Sequence, residues 1–266
     1  MRKTLSEFKP KYPYLICVDS DGCAIDSMEI KHRTCFGPCA VTEWGLDTIK
    51  DDFLVRWNEI NLYSPTRGIN RFKGLSLILE EFKLQGWEEI KEWTERTEAL
   101  SNDALKLETS PALKKILDWS YRVNKAIESL PLPTPFLNVK ETLHVLSKQA
   151  DIAVVSSANL RAIEKEWNDG SILDYVSVLM SQDNGSKKVC IANLLQKGYD
   201  REKVLMIGDA PGDKQAAEEN EVHYYPIIPG DEGKSWQLLK EQVWNEFIDQ
   251  KLNDSYIKEF CLKLGL

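Results

Sequence analysis

Short apolar runs that stop at Asp, Ser or Gly alternate along this chain with longer stretches whose apolar residues recur every three or four positions. The first run is "YLICVDSDGC", where residues 15–18 lead straight into Asp19, Ser20, Asp21 and Gly22. A run that is apolar at consecutive positions and ended by Asp and Gly predicts a strand buried on both faces. "DIAVVSSAN" (residues 152–155, ending at Ser156) and "KVLMIGDAPGD" (residues 204–207, ending at Gly208 and Asp209) repeat the pattern. "YVSVLMSQ" (residues 175–180) and "VHYYPII" near Val222 give weaker versions. Between them, "NVKETLHVLSKQ" puts Val139, Leu143 and Leu146 on one helical face, "KKVCIANLLQKG" is expected to do the same with Val189, Leu194 and Leu195, and "GDKQAAEEN" favours a short helix.

Strands alternating with helices predict an α/β fold with a Rossmann-like parallel sheet, whose ligands sit at the carboxyl ends of the strands. The polar clusters Asp19/Asp21, Ser156 and Asp209/Asp213 fall at those ends. Residues 27–130 hold no convincing strand and repeat helical spacing, including one stretch from Trp87 to Leu107. "PLPTP" (residues 131–135) is too stiff to continue a helix. The expected organisation is a core of residues 1–26 and 131–266, closed by C-terminal amphipathic helices, with an inserted all-helical cap over residues 27–130.

Charge narrows the partners. A formal net charge of −8 speaks against a nucleic-acid partner. It leaves room for an anionic substrate, because local basic groups and a metal outweigh distant surface charge. The first residues carry no apolar core of a signal peptide, and no stretch approaches the ~18 apolar residues of a membrane span. Six cysteines without scaffold density suit a reduced, cytoplasmic setting. His32, Cys35 and Cys39 in "HRTCFGPC" make zinc conceivable, but no second Cys/His pair follows with finger-like spacing. Oligomeric state has no signature in the sequence.

"DSDG" is not a calcium loop, which would want Gly at its sixth position and Glu at its twelfth; here Gly22 is fourth and Ile30 twelfth. It does suit phosphoryl transfer, which needs an in-line nucleophile, charge neutralisation and an acid for the leaving group. Asp19, emerging from the strand, fits a carboxylate nucleophile. Asp21, beside the turn-permitting Gly22, fits the acid and then the base. Mg²⁺ would relieve the repulsion between these carboxylates and a phosphate.

Taken in order, D-x-D-G after a strand, Ser after a second, Lys at a helix start and G-D-x-x-x-D after a third resemble the haloacid dehalogenase superfamily of phosphohydrolases. The resemblance covers residues 14–27 and 136–226, and the insertion sits where that family places a helical cap. It implies a Mg²⁺ site made by the Asp19 carboxylate, the Asp21 carbonyl and Asp209, with Asp213 as ligand or support. It implies that Lys187 neutralises the phosphate and nucleophile and that Ser156 holds a phosphoryl oxygen; Lys188 and Ser157 are the alternatives. Cys23 departs from the family's usual Thr or Val, and the insertion is longer than a compact cap. The dehalogenase branch lacks the second aspartate, so Asp21 favours phosphate-ester hydrolysis.

The expected activity is therefore hydrolysis of a small phosphorylated metabolite through an aspartyl-phosphate. A phosphomutase is an alternative. So is a phosphonoacetaldehyde-type hydrolase, for which Lys31, Lys50 and Lys73 offer amines, and so is a non-catalytic binding protein on the same fold. Within the insertion, "NLYSPTRGINRFKGL" concentrates Arg67, Asn70, Arg71 and Lys73 around a turn, and these four are the expected substrate-binding residues.

Overall fold

The computed structural model describes residues 4–97 and 100–266. The chain divides into two compact units, Met1–Ser27 with Leu132–Leu266, and Met28–Pro131. Both divisions lie one residue beyond the expected boundaries.

The first unit is built on five parallel strands: β1 (Tyr14–Val18), β2 (Ala150–Val155), β3 (Val178–Met180), β4 (Val204–Gly208) and β5 (His223–Pro226), in the order β3-β2-β1-β4-β5. The apolar runs are continuous because both faces are covered. Ile16, Val18, Ile152, Val154, Leu205 and Ile207 enter one core, with Leu143 and Trp167. Leu15, Cys17, Ala153, Val155, Val204 and Met206 enter the other, with Ile191, Ala217 and Phe260. Alternation along each strand sends successive residues to opposite faces, so a fully apolar strand requires helices on both sides.

The weaker strand shortens. Of residues 175–180 only Val178–Met180 joins the sheet, because Leu173–Tyr175 closes a 3₁₀ turn, with the Tyr175 and Val176 amides bonded to the carbonyls of Ile172 and Leu173. The helix Lys187–Leu195 also corrects the pattern. Cys190, Ile191 and Leu194 are buried while Val189 is 44% exposed. Val189 and Leu194 are five positions apart, about 140° around the helix, so they cannot share a face.

Among its described residues the second unit contains helices and connecting turns and no strand, with a core of Phe36, Phe53, Trp57, Phe72, Leu75, Ile78, Trp93 and Trp119. The stretch expected to run from Trp87 to Leu107 divides into Trp87–Arg96 and Asn102–Lys106; residues 98 and 99 lie outside the described residues. The N-terminal residues 1–3, read for a signal peptide, also lie outside them. Among the described residues no helix is long and apolar enough to cross a membrane.

Order and direction position the site. β1 pairs with β2 on one side and β4 on the other, so the chain reverses its winding direction between β1 and β4. That reversal opens a crevice at the strands' carboxyl ends. The ends of β1 and β4 carry Asp19 and Asp209.

Candidate active site

Asp19 extends β1 by one ladder bond, its amide donating to the Ile207 carbonyl at 3.0 Å. The carboxylate is therefore held by the sheet and not by a loop. The chain turns directly afterwards. The Ser20 carbonyl accepts from the amides of Ala24 and Ile25 (3.0 and 2.9 Å), and Gly22 takes φ +80°, which a side chain would resist. Asp21 is half-buried, and its carboxylate accepts a short hydrogen bond from the Ser27 hydroxyl. The spacing gave no hint of Ser27, since its importance comes from the turn folding back.

Asp19, Asp209 and Asp213 are all buried, and one oxygen from each lies within 4.8 Å of the others. Among the described residues this is the one group of His, Cys, Asp or Glu side chains close enough to share a metal ion. Lys187 opens its helix beside them. Its Nζ stands 2.8 Å from Asp19 Oδ1 and 2.5 Å from Asp213 Oδ1. The second oxygen of Asp213 accepts from the Ala210 amide at 3.1 Å. Lys188 points elsewhere, its Nζ 3.3 Å from Glu219 on the exposed face.

Three buried carboxylates face one half-buried ammonium, and the electrostatics reflect the imbalance. Burial pushes the Asp19 carboxyl well above its ordinary range; Lys187 opposes this, while Asp213 and Asp209 add to it. Burial alone would lower the Lys187 ammonium, but Asp19 and Asp213 outweigh it and hold the lysine charged. A small divalent cation would supply the missing positive charge, and an all-oxygen donor set suits a hard ion such as Mg²⁺. Gly208 fits this arrangement, because the Asp213 carboxyl group lies where a Cβ would stand. Tyr224 lies beneath the site, donating to the Gly208 carbonyl at 3.0 Å, and burial first, then Asp213, keeps its phenol protonated. Nothing in the local sequence around Tyr224 marks it, because the contact is made across strands.

Ser156 is buried at the carboxyl end of β2, the strand next to β1. Its Oγ accepts from the Ala158 amide at 3.1 Å, and its amide donates to the Met180 carbonyl. Ser157 is exposed.

The four insertion residues lie in the helical unit. Arg67 is 4% exposed and donates to the Leu62 carbonyl at 2.7 Å. Asn70 caps the helix Arg71–Glu81, accepting from the Phe72 amide. Arg71 donates to Asn124 Oδ1 at 2.7 Å and lies over the Phe36 ring. Lys73 is exposed. His32 accepts from the Trp57 indole and stacks on Phe36, with Cys35 and Cys39 buried nearby in sequence; these three do not form a metal-ligand group.

The family model of the haloacid dehalogenase-like hydrolases matches residues 76–226. That span holds Ser156, Lys187, Asp209 and Asp213 and begins after the Asp19 loop. No curated protein sequence matches the chain. Among solved structures, a candidate phosphoglycolate phosphatase from Lactobacillus delbrueckii subsp. bulgaricus is 14% identical, with 96% of this chain and all of that chain covered at a TM-score of 0.55. A candidate haloacid dehalogenase-like hydrolase from Bacteroides fragilis is 16% identical, with 85% of this chain and 93% of that chain covered, also at 0.55. At these identities the likeness is one of fold.

Proposed function

The chain belongs to the haloacid dehalogenase-like hydrolases, and within them we propose that it is a Mg²⁺-dependent phosphatase acting on a small phosphorylated metabolite. The observation that carries this reading is the buried Asp19 carboxylate, held at the end of the central strand beside Lys187 and within reach of Asp209 and Asp213.

In this reading Asp19 attacks phosphorus in line, and the ester P–O bond breaks as Asp21 gives its proton to the departing alkoxide. Water then attacks the aspartyl-phosphate and passes a proton to Asp21. The Asp19 carboxylate and inorganic phosphate are released. Lys187 offsets negative charge on Asp19 and the phosphoryl group, and the Ser156 hydroxyl holds a phosphoryl oxygen. The Asp19 carboxylate, the Asp21 carbonyl and Asp209 would hold Mg²⁺, with Asp213 anchoring Lys187 behind them. The ion would neutralise charge as the phosphoryl group is transferred.

Asp21 separates this reading from carbon–halogen cleavage. A halide leaves without a proton, whereas an alkoxide needs one, so a second carboxylate beside the nucleophile is needed as an acid only by the ester reaction. For substrate choice the reading extends to Lys73, which is exposed in the first turn of the helix Arg71–Glu81, beyond the Asn70 cap.

The test is phosphate release from a panel of sugar, nucleotide and organic-acid phosphates, with Mg²⁺ and with excess EDTA. Release that requires Mg²⁺ and is inhibited by Ca²⁺, whose looser coordination spoils in-line geometry, supports the reading. Full activity after chelation, or none on any ester, overturns it.

A further inference from the structure

Ser20 stands between the two aspartates and is fully buried. Because Asp19 continues the ladder of β1, alternation directs Ser20 toward the core that receives Ile16 and Val18. Trp167, on the helix Leu160–Asp169, lies in that core, and its indole Nε1 donates to Ser20 Oγ at 2.9 Å. Trp236, on the helix Glu232–Leu238, belongs to the same core and donates from Nε1 to the Cys23 carbonyl, also at 2.9 Å. Both tryptophans are fully buried.

A buried indole N–H is costly to leave unpaired, and any nearby acceptor would satisfy it. Here two indoles from separate helices meet the same short loop, one on each side of Asp21. The Ser20 side chain is fixed between the peptide units that lead to Asp19 and to Asp21, so a rotation of either unit breaks the Trp167 bond. The Trp236 bond fixes the far end of the turn. Trp236 is itself held, its own carbonyl accepting from Thr142 Oγ1 at 3.0 Å.

We propose that Trp167 and Trp236 are positioning residues that brace the Asp19–Cys23 loop so that both carboxylates are presented together. This rests on the roles given above to Asp19 and Asp21. Misplacement by about 1 Å costs up to ~100-fold in rate, so a lost brace is expected to appear in kcat and not in KM.

The experiment compares wild type, Trp167→Phe, Ser20→Ala, their double variant and Trp236→Phe. Two readouts are taken: Mg²⁺-dependent hydrolysis of p-nitrophenyl phosphate, and hydrogen exchange of the Gly22, Ala24 and Ile25 amides. The expected result is a kcat about 10-fold lower or more for Trp167→Phe and for Trp236→Phe, with KM within about twofold. The Trp167→Phe/Ser20→Ala double variant should be no worse than its poorer parent, because both changes remove one bond. Loop amides should exchange faster by more than the fall in global stability accounts for. Losses that multiply in the double variant, or unchanged kcat and unchanged exchange, overturn the brace and leave the tryptophans as packing. If Trp167→Phe fails to fold, Ser20→Ala and Trp236→Phe carry the same readouts. Wild-type protein without turnover on any ester overturns the proposed function alone. The exchange rates then decide the brace, and rates equal in all variants overturn it.

Discussion

Gly208 and Asp213 share one space: a side chain on the glycine would overlap the aspartate's carboxyl group. Asp213 is thereby seated with one oxygen toward Lys187 and the other toward the Ala210 amide. Gly208→Ala should push that carboxylate aside at a cost of about 1–3 kcal/mol in strain, and lower turnover at least about 10-fold. Denaturant unfolding and phosphate-release kinetics on the same variant check both parts, and near-wild-type kinetics would refute the coupling.

Asp19→Asn should fold and lose the reaction. Losing the nucleophile costs several kcal/mol of barrier, so turnover is expected below about 1% of wild type. The wild-type protein should take up beryllium fluoride at Asp19 as an aspartyl-phosphate mimic, and an adduct on another residue would count against the assignment.

Mg²⁺ should stabilise the fold independently of turnover. An ion that binds only the native state adds about 2.7 kcal/mol at a hundredfold excess over its dissociation constant. The thermal midpoint should rise on titration with Mg²⁺, and Asp209→Asn should flatten that response. An equal rise in the variant would remove Asp209 from the metal site.

Asp151 secures the opposite end of the sheet. At the start of β2, one of its oxygens accepts from the Lys11 and Tyr12 amides (2.8 and 3.0 Å) and from the Tyr199 hydroxyl at 2.8 Å. Burial first, then Asp151, pushes the Tyr199 phenol upward, so it remains a donor. The Ser177 hydroxyl donates to the other oxygen at 3.3 Å, so Asp151→Ala would strand four donors and should cost about 3 kcal/mol or more, while Asp151→Asn, which keeps one carbonyl oxygen, should cost less. The kcat of the folded variants should match wild type, since the contacts lie away from the carboxyl ends of the strands.

In the helical unit, Arg67 and Lys73 should separate. Arg67→Ala removes a buried donor from the Leu62 carbonyl and should cost about 2 kcal/mol of stability. Lys73→Ala should alter stability by less than about 0.5 kcal/mol. If Lys73 takes part in substrate choice, that variant should lose kcat/KM on the preferred ester and keep its rate on p-nitrophenyl phosphate. Equal losses on both esters would assign it no part in selectivity.

The sequence by itself determined which segments become strands and what ends them. Runs such as Leu15, Ile16, Cys17 and Val18 are apolar on both parities, and only a parallel sheet covered on both faces accepts such runs. It also determined the carboxylates, because Asp19 and Asp209 terminate those runs. Tertiary structure decided the rest. Lys187 and Lys188 are equivalent as letters, and helix rotation alone brings the amine of Lys187 to Asp19 and sends that of Lys188 to Glu219. Val189 looked like a core residue until the same rotation exposed it. Ser27, Tyr224, Trp167 and Trp236 reach the site through contacts whose partners are set by how the turn, strands and helices pack. Apolar periodicity is written locally, one element at a time, whereas a hydrogen bond between residues as far apart as Ser20 and Trp167 exists only once the sheet has brought their elements together.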